Sequence, residues 1–276
     1  MPPTPRQTAY YGWRPDLPDQ RDFRFVRPEA VELPSSIDLR SACPPVYDQG
    51  ALGSCTANAI AAAIEFDQMK QSEATPFTPA RLWVYYCERA IEGSIGTDSG
   101  AMIRDGVKAC ATTGYVPEGE WPYDITTFTS PPKGVDVLTA ESAAHKVAEY
   151  RAVAQTLDDI KAALAAGFPT VFGFTVYESF ESADVASSGN VPMPGPDEKV
   201  LGGHAVVLVG YDDATSRFTV RNSWGPGWGQ AGYFTMPYEY VTDADLASDF
   251  WTLTTVNDTA ATTSEADQAE PALVNA

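Results

Sequence analysis

Basic residues are scarce in this chain of 276 residues: 18 Lys and Arg stand against 37 Asp and Glu, a formal net charge of −19 at pH 7. Such a charge repels phosphate backbones and anionic lipid surfaces, so neither nucleic acid nor a membrane is expected as a partner. No apolar run approaches the roughly 18 residues of a membrane span. The start MPPTPRQTAYYGWRP lacks the apolar h-region of a secretory signal, which leaves the cytoplasm or non-classical export as the expected location. Cysteine and histidine are rarer still. The four cysteines, Cys43, Cys55, Cys87 and Cys110, form no C-x-x-C pair and have no histidine near them in sequence, so neither a metal site nor a cofactor is expected. If Cys55 stays a free thiol, the other three allow at most one disulfide.

What is abundant is apolar: 44% hydrophobic and 11% aromatic residues are enough for a large core, and the length suits a two-lobed domain. Residues 1–32, rich in Pro, Arg, Asp and aromatics without a sustained period, read as an extended arm on a surface. Helices are expected over SCTANAIAAAIEFDQM, with Ser54 at its cap and Ile60, Ala63 and Ile64 on one face, over TPARLWVYYCERAI, capped by Thr78, and over GAMIRDGVKACATTG, closed by Gly114. After WPYD the pattern changes. AHKVAEYRAVA and TVFGFTV read as strands flanking a helix capped by Thr156, and HAVVLVGYDDATSRFTVRNSWG with GYFTMPY reads as an antiparallel sheet. Residues 257–276 are acidic and without aromatics, and are expected to be disordered.

The chemistry concentrates in YDQGALGSCTANAIAAAIE, where Cys55 stands between a glycine-rich loop and a helix. A helix N-terminus presents unpaired N–H groups and the positive end of its dipole, which favour a thiolate. A free cysteine is as often simply a small buried hydrophobe. A thiolate nucleophile needs a base, and histidine suits that role near neutral pH. His145 lies among charged residues and reads as a surface or strand-edge residue, whereas His204, in LGGHAVVLVGY, stands at the mouth of an apolar strand. In VRNSWGPGWGQAGYF an amide oxygen from Asn222 could fix the imidazole tautomer. Trp228 reads as core.

Together, QGALGSC, GGHAVVLVGY and RNSWGPGWGQAGY, in that order, resemble the signature blocks of the papain-like cysteine peptidases, in particular bacterial members with a short pro-segment. His204 follows Cys55 by 204 − 55 = 149 positions, within the roughly 130–150 of that family. The resemblance implies an α+β fold of two lobes, an N-terminal helical lobe of about 40–135 and a C-terminal antiparallel β lobe of about 136–256, within a domain of 33–256 and with the active-site cleft between them. It implies a cysteine endopeptidase acting on a peptide or protein substrate, with Cys55 as nucleophile, His204 as general base and acid, Asn222 orienting the imidazole and Gln49 in the oxyanion hole. Trp224 resembles the shield over the His–Asn contact, and Gly100 and Gly173 align with substrate-binding positions. The alternatives are a thiol transpeptidase using the same residues and a catalytically silent peptide-binding module. Leu52 and Thr56 depart from the family, where a disulfide cysteine and an aromatic residue are usual. The arm, with Tyr10, Tyr11, Trp13, Phe23 and Phe25, is expected to lie across the cleft as an inhibitor, since aromatics in so polar a segment need a surface to pack on.

Overall fold

The alanine-rich run folds as α1 (Cys55–Lys70) in a computed structural model that describes residues 11–27, 32–71 and 75–255. Tyr10 and the tail 257–276 lie outside the described residues. Every residue of α1 but the last two is buried, so the single apolar stripe expected from Ile60, Ala63 and Ile64 is replaced by burial on all sides. Small alanines allow this, because α2 (Arg81–Ile91), α3 (Ile103–Thr112) and the sheet can each approach the helix axis closely. Helix α4 (Val135–Ser142) lies beyond the expected end of the helical lobe at about 135, yet its Leu138 packs in the same core as α1, α2 and α3. Helix α2 starts later than Thr78. Ala80 N–H bonds to Val116 O at 2.7 Å and Glu118 N–H to Thr78 O at 2.8 Å, which holds 78–80 extended and puts Ala80 at the N-cap. Helix α3 ends as expected, with Gly114 at φ +100° donating to Ala109 O.

Among the described residues seven strands make one antiparallel sheet: β1 (Ser36–Asp38), β2 (Val147–Ala152), β3 (Thr170–Tyr177), β4 (Val200–Asp212), β5 (Arg217–Arg221), β6 (Tyr233–Pro237) and β7 (Ala247–Thr255). Their order is β2-β7-β3-β4-β5-β6, with β1 also paired to β4. Helix α5 (Leu157–Ala165) is capped by Thr156, whose hydroxyl accepts Asp159 N–H at 3.1 Å, and α6 (Ala183–Ser188) and α7 (Tyr238–Thr242) are short. The family's architecture is thus present: a helical lobe and an antiparallel β lobe. No helix among the described residues is long and apolar enough to cross a membrane.

Strand β4 joins the two lobes. Ala205, Val207 and Val209 face the core that holds Trp83, Trp121 and Trp251, while Val206, Leu208 and Tyr211 face the core that holds Phe172, Phe174, Phe218 and Phe234. Side chains alternate between the faces as far as Val209, an irregularity between Leu208 and Gly210 then turns Tyr211 to the Leu208 face, and both faces are buried, which is why this strand reads as an apolar run. All four cysteines are free thiols, so the disulfide that the count allowed does not form.

The arm is anchored in several places, two of them by backbone pairing. At one of them Ala152 N–H bonds to Phe23 O and Phe25 N–H to Ala152 O, both at 2.8 Å, so the arm pairs with the edge of β2. Phe23 departs from the expectation that the arm's aromatics pack, since its side chain is 69% exposed and only its backbone is bound. The second anchor lies at Tyr11–Arg14.

Candidate active site

The loop before α1 is tied down by polar contacts. Gly53 N–H faces both carboxylate oxygens of Asp98 at 3.1 Å, and Asp98 also accepts from the Tyr85 hydroxyl at 2.5 Å. Ser54 stands at the N-cap but its hydroxyl makes no capping bond; it lies 2.6 Å from the Tyr123 hydroxyl instead. These contacts set Cys55 at the first turn of α1, fully buried. Backbone N–H groups of Ala205, Gly12 and Thr56 bond to its sulfur and pull the pKa down, but burial outweighs them and pushes the thiol up to about 12. Burial and the helix N-terminus therefore act on this thiol in opposite directions.

His204 sits on β4 opposite Phe174 on β3, almost wholly buried. Its Nε2 is 2.8 Å from Asn222 Oδ1, which also accepts Ser223 N–H at 2.8 Å. A carbonyl oxygen can only accept, so Nε2 carries the hydrogen and Nδ1 is the basic nitrogen. Trp224 stacks on the imidazole with ring centroids 5.0 Å apart and planes at 28°. Trp228 packs among Trp224, Phe180 and Phe234, as core.

Gln49 is fixed at four atoms. Its side-chain Oε1 accepts from the Ser223 hydroxyl at 2.6 Å, and its Nε2 donates to Leu52 O at 2.9 Å. Its backbone N–H bonds to Ser223 O at 2.9 Å, and its backbone oxygen accepts from the Tyr123 hydroxyl at 2.9 Å. The amide nitrogen carries two hydrogens, so one remains for a further acceptor. Ser223 and Tyr123 were not among the expected site residues. Ser223 stood inside the RNSWG block and Tyr123 inside WPYD, but neither pattern says what their hydroxyls bind.

Residues 11–14 run through the cleft. Trp13 N–H bonds to Gly203 O at 2.9 Å, Ala101 N–H to Gly12 O at 2.7 Å and Arg14 N–H to Ala101 O at 3.0 Å, so Trp13 bridges Ala101 in parallel. Gly12 fits because it has no side chain; a Cβ there would stand 1.7 Å from Gly53 O. Gly100, at φ +67°, is equally close, since its Cβ would be 2.1 Å from Gly12 O. The Trp13 indole fills the space left by Gly173, where a Cβ would lie 1.9 Å from Cε2. Its Nε1–H reaches Asp249 Oδ2 at 3.0 Å, an oxygen that also accepts Asp16 N–H at 2.8 Å. Tyr11 stands 6.1 Å from the His204 ring and 6.5 Å from Trp224, with its hydroxyl on Glu181. Cys55, His204, Asn222, Gln49, Trp224, Gly100 and Gly173 therefore all border one cleft. His145 lies elsewhere, edge-on to Phe77 with centroids 4.9 Å apart. Asp249, on β7, gave no signal in the sequence.

A family model described as papain family cysteine protease matches residues 33–252. A peptidase C1-like protein of Acanthamoeba polyphaga mimivirus is 45% identical over 90% of this chain and 88% of its own. A cathepsin B-like protein of Giardia intestinalis is 31% identical over 74% of this chain and 69% of its own. Among solved structures, that of xylellain, a cysteine protease from Xylella fastidiosa, superposes with a TM-score of 0.82 and 45% identity, covering 91% of this chain and 98% of that one.

Proposed function

The chain belongs to the papain family of cysteine proteases and is a cysteine-type peptidase, and we propose that Cys55, His204, Asn222 and Gln49 carry its chemistry while residues 11–14 hold the intact chain inactive. The observation that supports these roles best is the network that joins them: His204 Nε2 lies 2.8 Å from Asn222 Oδ1, and the hydroxyl of Ser223, next to Asn222, donates to Gln49 Oε1 at 2.6 Å. In the reaction His204 Nδ1 takes the thiol proton as sulfur attacks the substrate carbonyl carbon. The oxygen that becomes negative is met by the second Nε2 hydrogen of Gln49 and by Cys55 N–H. Collapse breaks the C–N bond, and the imidazolium returns its proton to the leaving amine. Water, deprotonated by His204, then hydrolyses the thioester and releases the acid and the free thiol. Asn222 holds the tautomer throughout, and Trp224 keeps water from that hydrogen bond.

The arm occupies this cleft with the wrong chemistry for attack. Gly12 presents its N–H to the sulfur, and its carbonyl is engaged by Ala101 N–H. Tyr11 lies on the His204 side, where the leaving amine must receive its proton, so the Trp13 side is the acyl side. A substrate runs from acyl side to amine side, and the arm runs the other way. A tethered segment competes at high effective concentration, which is why the intact chain is inhibited.

The test is Trp13→Ala in the full chain. Peptide hydrolysis and alkylation of Cys55 by a neutral reagent should both rise by tenfold or more, and Cys55→Ala should abolish both. Equal rates in the intact and Trp13→Ala proteins would mean that the arm does not gate the site. Added amine nucleophiles that divert the acyl group from water would favour transpeptidation.

A further inference from the structure

The Leu52–Gly53 peptide is gripped at both of its polar ends. Its carbonyl oxygen accepts Gln49 Nε2–H at 2.9 Å, and its N–H faces both oxygens of the Asp98 carboxylate at 3.1 Å. All four cysteines are free, so no disulfide holds this turn. Asp98 is itself held by the Tyr85 hydroxyl, which donates to it at 2.5 Å. The loop that carries Asp98 is tied to α2 by the wholly buried Arg89, whose guanidinium donates to Ile95 O, Thr97 O and Phe128 O. The Tyr85 hydroxyl also accepts Gly100 N–H at 3.1 Å, one peptide before the Ala101 N–H that binds the arm. A carboxylate on a peptide N–H pushes charge towards the carbonyl oxygen of that peptide and makes it a stronger acceptor, so the bonds in such a chain reinforce one another. Here the acceptor that gains is Leu52 O. Its bond from Nε2 and the bond from the Ser223 hydroxyl to Oε1 together fix the plane of the Gln49 amide, and that plane sets where the second Nε2 hydrogen points.

From this we infer that Asp98 is a positioning residue of the peptidase: acting through the Leu52–Gly53 peptide, it aims the Gln49 amide at the oxygen that becomes negative. The inference rests on the reading of Gln49 given above as an oxyanion donor, and it places the control of that donor on the loop between α2 and α3. Gly53 lies two residues before Cys55, so a carboxylate that only stiffened the turn would affect the thiol as much as the amide. The two cases differ in what they predict.

The experiment uses the full-length Trp13→Ala chain, a peptide substrate and a neutral alkylating reagent for Cys55. Asp98→Asn keeps the shape and one acceptor oxygen but removes the charge. It should lower kcat about tenfold with little change in KM, because the oxyanion exists only on the way through the transition state. Alkylation, which forms no oxyanion, should keep its rate. In a Gln49→Ala background the same substitution should cost less than about twofold in kcat, because the residue that it acts through is gone. Tyr85→Phe, which leaves Asp98 on Gly53 but removes its other donor, should repeat the pattern at about threefold, and it decides if Asp98→Asn fails to fold. An unchanged kcat, equal losses in kcat and alkylation, or the same loss with and without Gln49 would overturn the role of Asp98 while leaving the peptidase reading intact. A kcat unmoved by Gln49→Ala itself would overturn the oxyanion assignment and this inference together.

Discussion

Docking of the arm is expected to weaken as pH rises, and Asp16 is the residue that makes it so. In the docked arm Asp16 is pushed up to about 7, chiefly by burial and then by the neighbouring charge of Asp249, against the N–H groups of Trp251 and Arg104 that favour its ionised form. Asp249 is itself raised by burial. Arg104, paired with Asp22, stands beside the two acids, and Asp19 and Arg24 line the same pocket. A solvated arm carries Asp16 at the ordinary value of about 3.9. Between those two values the docked state holds a proton that the free arm has lost, so docking is strongest below about pH 4 and loses about 1.4 kcal/mol per pH unit up to about pH 7. Over that window of about three units the docking equilibrium shifts by up to about a thousandfold. Asp16→Asn removes the titrating group. The assay is alkylation of Cys55 by a neutral reagent between pH 5 and 8, each rate divided by that of the Trp13→Ala chain so that the thiol's own titration cancels. The intact chain should show a relative rate rising up to about tenfold per unit below pH 7 and then levelling, and Asp16→Asn a rise of no more than about threefold. Parallel slopes for the two proteins would refute the linkage, and a slope of opposite sign would mean that release is driven by acid.

Gln49→Ala should lower kcat by about 10²–10³ with little change in KM, measured on the Trp13→Ala background; an unchanged kcat with chemistry rate-limiting would remove Gln49 from the oxyanion hole. Tyr123→Phe deletes the hydroxyl that holds the Gln49 backbone oxygen and should cost about 1 kcal/mol, or roughly fivefold in kcat, while alkylation of Cys55, which forms no oxyanion, keeps its rate. Loss of both in equal measure would make Tyr123 merely structural. Gly173→Ala sets a methyl group into the Trp13 indole and should free Cys55 for alkylation in the intact chain by tenfold or more; no increase would mean that the indole does not hold the arm.

Several elements could be read from local pattern because local physics decides them. The helix after Gly53, the Thr156 cap with its acidic first turn, the Gly114 stop and the apolar run of β4 all follow from propensity, capping and period. Others could not. Thr78 looks like a cap, but a non-local pairing with 116–118 keeps it extended. Strand β1 is three residues long and forms only because β4 is there to pair with it. The alanines of α1 are compatible with a stripe or with total burial, and only the neighbours on every side decide between them.

The order and spacing of Cys55, His204 and Asn222 were determined by the sequence alone, because a nucleophile, a base and an orienting amide are chemical identities that a chain states directly. The reactive state of that nucleophile was not. Helix position argues for a thiolate, whereas burial within the folded chain pushes the thiol up. Asp249 is the sharper case, since nothing in ASDFW marks an acid at the floor of a pocket until β7 pairs with β3 and lays it beneath Trp13. Identity and local conformation reside in short stretches of chain, whereas burial, charge environment and pocket shape are properties of groups brought together from distant ones, and these only the tertiary structure decides.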